Sequence, residues 1–207
     1  MPPRQLASRF ALLAVYALAF VLIWPWVGDW YGRAFRAGTM EMCRTIGASW
    51  VVVLEPAEHT TAHSDSEMFL INRQTRELAK QTLSSRYIGY APTTFLVALI
   101  LATPLTWRRR LTALLWGLVL THAWIAFSML LLIVYGYSRG DVVSIFDVSP
   151  FTRTALAFMR EALVKAPVVK YTVPAVIWIL VSFRRSDWAT MFGATKTDDS
   201  SSSGGKA

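Results

Sequence analysis

The chain has little of what crosslinked or catalytic proteins use. One cysteine, Cys43, stands alone in 207 residues, so no intramolecular disulfide forms. There are only three histidines, His59, His63 and His122. No Asp or Glu interrupts the four long apolar runs Phe10–Val27, Ile88–Leu105, Leu111–Tyr135 and Val168–Phe183. A transport pathway built on paired charges therefore lacks its acidic half. No internal repeat is present. No basic soluble face interleaved with stacking aromatics is present either, so the net charge of +8 does not read as a nucleic-acid footprint.

What is there is apolar and segregated. Hydrophobic residues make up 54% of the chain, and charge is confined to the segments between the runs. A hydrocarbon core of ~30 Å takes about 20 helical residues to cross, and a backbone in lipid must satisfy its own hydrogen bonds. The runs therefore predict an all-α membrane protein with four transmembrane helices and a small extracytoplasmic α+β cap. Arg4 and Arg9 precede the first run, Arg108, Arg109 and Arg110 separate the second and third, and Arg184 and Arg185 follow the fourth. The positive-inside rule places these topogenic flanks, and both termini, in the cytoplasm. The first run exceeds a signal-peptide core, and no small-residue cleavage site follows Trp24-Pro25-Trp26, so it reads as an uncleaved anchor. Cys43, in Met40-Glu41-Met42-Cys43, does not read as a lipid-attachment site.

The segments follow from this layout. Residues 1–27 hold the cytoplasmic flank and first crossing, and 28–87 form the cap. The second crossing takes 88–106, a basic turn 107–110, and the third crossing 111–136. An outer loop and amphipathic helix fill 137–166, the fourth crossing 167–183, and a cytoplasmic tail 184–207, disordered from about 195. Trp24, Trp26, Trp30 and Tyr31 are expected as interface anchors at the outer headgroup level. Residues 30–47 read as an interfacial amphipathic helix or a continuation of the first crossing. Short strands are expected near 50–55, which includes Trp50, and near 67–72, joined by a polar connector. Two strands alone are marginal in water, so the sheet must lean on something else. The segment 73–84, with Arg73, Gln74, Arg76, Glu77, Lys80 and Gln81, predicts a polar helix. Ser149 as N-cap with Pro150 at the first position opens a helix over 150–165, and Pro174 is expected to kink the last crossing.

Candidate chemistry rests on few residues. His122, beside Thr121 and Trp124, falls near the middle of the third run, where an ionisable group should face the bundle and have a partner. It reads as a proton relay or ligand contact, or as a neutral imidazole bonded across helices. Lys170 reads as a snorkelling side chain. His59 and His63, with acidic neighbours, suit a metal only if a helix brings them together; on a strand they are polar surface. Cys43 is a nucleophile only with a base or positive group to lower its pKa. Gly117, Ala123 and Ala126 are small enough to permit close helix packing. No cofactor is implied.

The stretch Thr93–Trp107, "TTFLVALILATPLTW", followed by Arg108-Arg109-Arg110-Leu111 and a Leu-rich helix, resembles small membrane proteins associated with exosortase and archaeosortase systems. The resemblance covers about residues 90–133. Those systems process sorting signals on envelope proteins. Their enzymes are multi-helix transpeptidases with Cys, Arg and His at the outer face. Here Glu41-Met42-Cys43-Arg44 lacks the Cys-Ser-Gly context, and no His follows His122. The resemblance thus implies a non-catalytic accessory or scaffold subunit in a bacterial inner membrane, with the bilayer and another membrane or envelope protein as partners. Two alternatives stand beside it: an exosortase-like cysteine peptidase using Cys43, and a small transporter using His122.

Overall fold

In the computed structural model, residues 3–48, 51–61, 64–72, 76–138 and 148–183 are described. The element order is helix α1 (Pro3–Thr45), strands β1 (Val52–Thr61), β2 (Ser64–Asn72) and β3 (Glu77–Leu83), a π-helical turn (Arg86–Tyr90), then helices α2 (Ala91–Ala102) and α3 (Trp107–Ser138). Helix α4 (Pro150–Met159), a second π-helical turn (Arg160–Lys165) and α5 (Val169–Ser182) complete it. The protein is mostly helical, with a small antiparallel sheet.

The apolar run that opens the chain does not end where lipid should. Helix α1 continues through Pro25 for 43 residues, ~65 Å at about 1.5 Å per residue. Its first half keeps Phe10, Val15, Leu18 and Leu22 exposed, as a helix bathed in lipid requires. Its second half is the spine of the cap. The helix stops at Gly47, whose φ of +73° is a left-handed conformation that glycine adopts without strain. Ala48 N–H donates to the Cys43 carbonyl at 2.7 Å and Gly47 N–H to the Arg44 carbonyl at 3.1 Å, the paired bonds of a Schellman stop.

Helices α1 and α3 are each long and apolar enough to cross a membrane. The segments around α4 and α5, bent by 71° at the break between them, make a third span if taken together. Arg86–Ala102 is a shorter apolar helix, a five-residue π-helical turn running into the 12-residue α2. At ~25 Å it falls a little short of a ~30 Å core. Helices α2, α3 and α5 pack around Leu96, Ile100, Ala113 and Ile177. Gly117 makes that approach possible: a Cβ there would stand 3.0 Å from Leu96 Cδ2. Helix α4 starts on Ser149, whose side chain accepts from Thr152 N–H, with Pro150 next.

The cap corrects the sequence reading most. The polar helix expected over 73–84 is not there; residues 77–83 are β3, paired antiparallel with β2 from Asn72↔Glu77 to Ser66↔Leu83. Glu, Leu, Ala, Lys and Gln favour helix locally, but a third strand completes a sheet that two strands would leave marginal. The strands are also longer than expected and take up most of the polar connector, with order β1-β2-β3. Met68, Leu70, Val52 and Leu54 turn inward onto Phe35 and Cys43 of α1 and onto Ile125, Met129, Leu132, Ile133 and Tyr137 of α3. The sheet leans on the outer ends of two helices, which explains how so small a sheet persists. Tyr137 O–H donates to the Val51 carbonyl at 2.5 Å, an oxygen that also accepts Ile71 N–H at 2.8 Å.

Candidate functional site

Cys43 lies 16 residues beyond Val27, ~24 Å further along α1 at 1.5 Å per residue, and so belongs to the cap. It is 0% exposed, inside the cluster of α1, α3 and sheet side chains. Burial pushes its thiol up from the ordinary range, away from the thiolate that a nucleophile needs. Arg44, its neighbour in sequence, turns outward and pairs with Glu41 at 2.7 Å. This environment stores a thiol as a small apolar side chain.

His122 does not face the bundle, contrary to expectation. The ring is exposed, and its Nδ1 meets the Leu118 carbonyl of its own helix at 2.8 Å. A carbonyl only accepts, so Nδ1 donates in this contact. The bundle position one residue earlier is taken by Thr121, 0% exposed, whose Oγ1 has no hydrogen-bond partner among the described residues. His122 lines an apolar groove of about 270 Å³ between α3 (Ile125, Ala126, Met129) and the outer part of α1 (Tyr31, Phe35, Met42). The groove sets His122 between α3 and α1, near the middle of the α3 sequence. Trp124 stacks near Phe127, with centroids 5.6 Å apart, and Ala123 is exposed.

The four expected anchors divide. Trp26 and Trp30 are 80% and 66% exposed, as a headgroup belt requires. Trp24 and Tyr31 instead cluster with Tyr90, at centroid distances of 4.6 and 5.4 Å from it, and Tyr90 O–H donates to the Phe20 carbonyl at 2.8 Å. They fasten α1 to the start of the second apolar helix. Lys170 Nζ lies 5.1 Å from the Tyr87 ring centroid.

The basic turn holds the ends of two helices. Arg109 Nη2 donates to the Ser182 carbonyl at 3.2 Å and Arg110 Nη2 to the Thr103 carbonyl at 3.4 Å, so each caps the end of a neighbouring helix, α5 and α2. Arg108 stays exposed. Trp178 Nε1 adds a bond to Thr103 Oγ1 at 2.8 Å. Arg184, Arg185, His63, Trp50 and the tail lie outside the described residues. His59 lies on β1, not on a helix. Among the described residues no group of three or more His, Cys, Asp or Glu side chains converges as a metal site.

Sequence reasoning missed a polar junction where α1, β2 and the π-helical turn meet. Asp65 accepts from Ser85 N–H at 2.9 Å, from Ser85 Oγ at 2.6 Å and from Ser66 Oγ at 2.9 Å. Arg36 Nη1 donates to the Asp65 carbonyl at 3.4 Å and to Ser66 Oγ at 3.2 Å. On the outer side of the sheet, Glu67 is only 7% exposed and is matched by Lys80 at 2.8 Å. That bond raises the Lys80 pKa above its usual value. These pairings depend on strand register, which the local sequence did not signal.

The geometry defines a helical, membrane-type protein carrying a compact outer sheet. No family model matches the chain, and no curated protein and no solved structure matches it. The stretch Thr93–Trp107 forms most of α2, the turn at Pro104 and the start of α3.

Proposed function

We propose that this chain is a non-catalytic accessory or scaffold subunit of a bacterial inner-membrane system for envelope-protein sorting or export. It crosses the membrane four times with both termini cytoplasmic. The observation that carries the non-catalytic reading is the burial of Cys43 in the cap core, with no exposure and a raised thiol pKa. A peptidase nucleophile needs the opposite environment. The scaffold reading draws on the outer face of the sheet. Leu78 there is 60% exposed beside the half-buried Val53, Phe69 and Ile71, an apolar patch bordered by the Glu67–Lys80 pair. The four-crossing topology draws support from the basic turn: Arg109 and Arg110 cap α5 and α2, so both helices end where α3 begins.

The test is purification of the intact chain from its native membranes in mild detergent, with mass spectrometry of co-purifying chains. The expected result is a stoichiometric membrane-protease or export component, lost when Leu78→Lys and Phe69→Lys charge the outer face. A chain that purifies alone at full occupancy of the membrane fraction contradicts the scaffold role.

A further inference from the structure

A cleft of about 390 Å³ opens between α1 and the cap, lined by Gly28, Asp29, Gly32, Arg33, Arg36 and Asp65, with Pro56 at its edge. It begins one residue past the apolar run that ends at Val27, and the exposed indoles of Trp26 and Trp30 flank it in sequence. Aromatic belts mark headgroup depth. Below it, the first half of α1 presents exposed apolar side chains against which acyl chains pack.

Its lining carries charges of both signs, as a zwitterionic ligand needs. Arg33 and Arg36 are three residues apart and share one side of α1. Arg36 is held by its Nη1 bonds to the Asp65 carbonyl and Ser66 Oγ, while Arg33 makes a single long bond, Nε to the Asp29 carbonyl at 3.4 Å. The Asp65 carboxylate accepts hydrogen bonds from Ser66 and Ser85, which turn its oxygens toward the protein. Two guanidinium groups on one side of the helix suit the oxygens of a phosphate, which Arg binds bidentately. The exposed Asp29 carboxylate remains beside the guanidinium pair and suits an ammonium group.

We propose that this cleft binds the headgroup phosphate of a membrane phospholipid, with Arg33 and Arg36 on the phosphate and Asp29 on the ammonium of a phosphoethanolamine-type headgroup. The bound lipid ties the cap to the bilayer surface at the point where α1 leaves it.

The experiment is native mass spectrometry of the intact protein in detergent, titrated separately with short-chain phosphatidylethanolamine, with the matching diacylglycerol and with inorganic phosphate. Saturable binding of the phospholipid alone, weakened roughly tenfold or more in Arg33→Gln/Arg36→Gln, is the expected result. Arg33→Gln by itself removes only an exposed side chain, so it keeps the fold; it should weaken binding with an unchanged melting temperature. Equal binding of diacylglycerol, or lipid binding unaffected by either variant, overturns the assignment. Tight binding of inorganic phosphate without lipid preference gives the cleft to a soluble phosphate and overturns the lipid.

Discussion

Tyr137 reaches from the last turn of α3 to the Val51 carbonyl just before β1, which β2 already holds through Ile71, and so joins helix and sheet through one buried hydroxyl. Tyr137→Phe keeps the ring and removes the bond. It should cost about 1 kcal/mol, read as a lower melting temperature of the detergent-solubilised chain, while Tyr135→Phe at a half-buried position should change it less. At this scale the sequence was readable where one residue's environment is local. Trp26 and Trp30 stay exposed, and Ser149 caps α4. It was not readable where the choice was between neighbours on one helix. His122 and Thr121 differ by about 100° around α3, and only the packing of α2 and α5 decides which of them is buried.

Among the elements, β3 was hidden because its residues favour helix singly and only the pairing with β2 makes them a strand. The Arg108–Arg110 turn was legible as a topogenic cluster and not as a pair of helix caps, since capping needs α2 and α5 to end beside it. That second role is testable by contrast. Arg109→Gln should loosen the last turn of α5 by about 1 kcal/mol, seen as faster amide exchange around Ile179–Phe183. Arg108→Gln, at an exposed position, should leave those amides unchanged. Equal effects of the two substitutions would reduce the turn to a charge cluster.

For the molecule as a whole, membrane character was plain in the sequence because charge and apolar length are segregated along the chain. The number of crossings was harder, since Arg86–Ala102 falls a little short of a spanning length and the 14-residue α5 shorter still. The apolar half of α1, the α2–α3–α5 bundle and the sheet lying on the ends of α1 and α3 make one object. Its outer part is built around a sealed thiol. Maleimide labelling of Cys43 in intact native membranes, followed between pH 7 and about 8.5 where an unperturbed thiol becomes half ionised, tests that account most directly. The account predicts no labelling across this range until the cap is unfolded, because Cys43 is fully buried and the core excludes the reagent. Labelling of the folded protein at pH 7 faster than a free thiol would contradict it and make Cys43 a nucleophile.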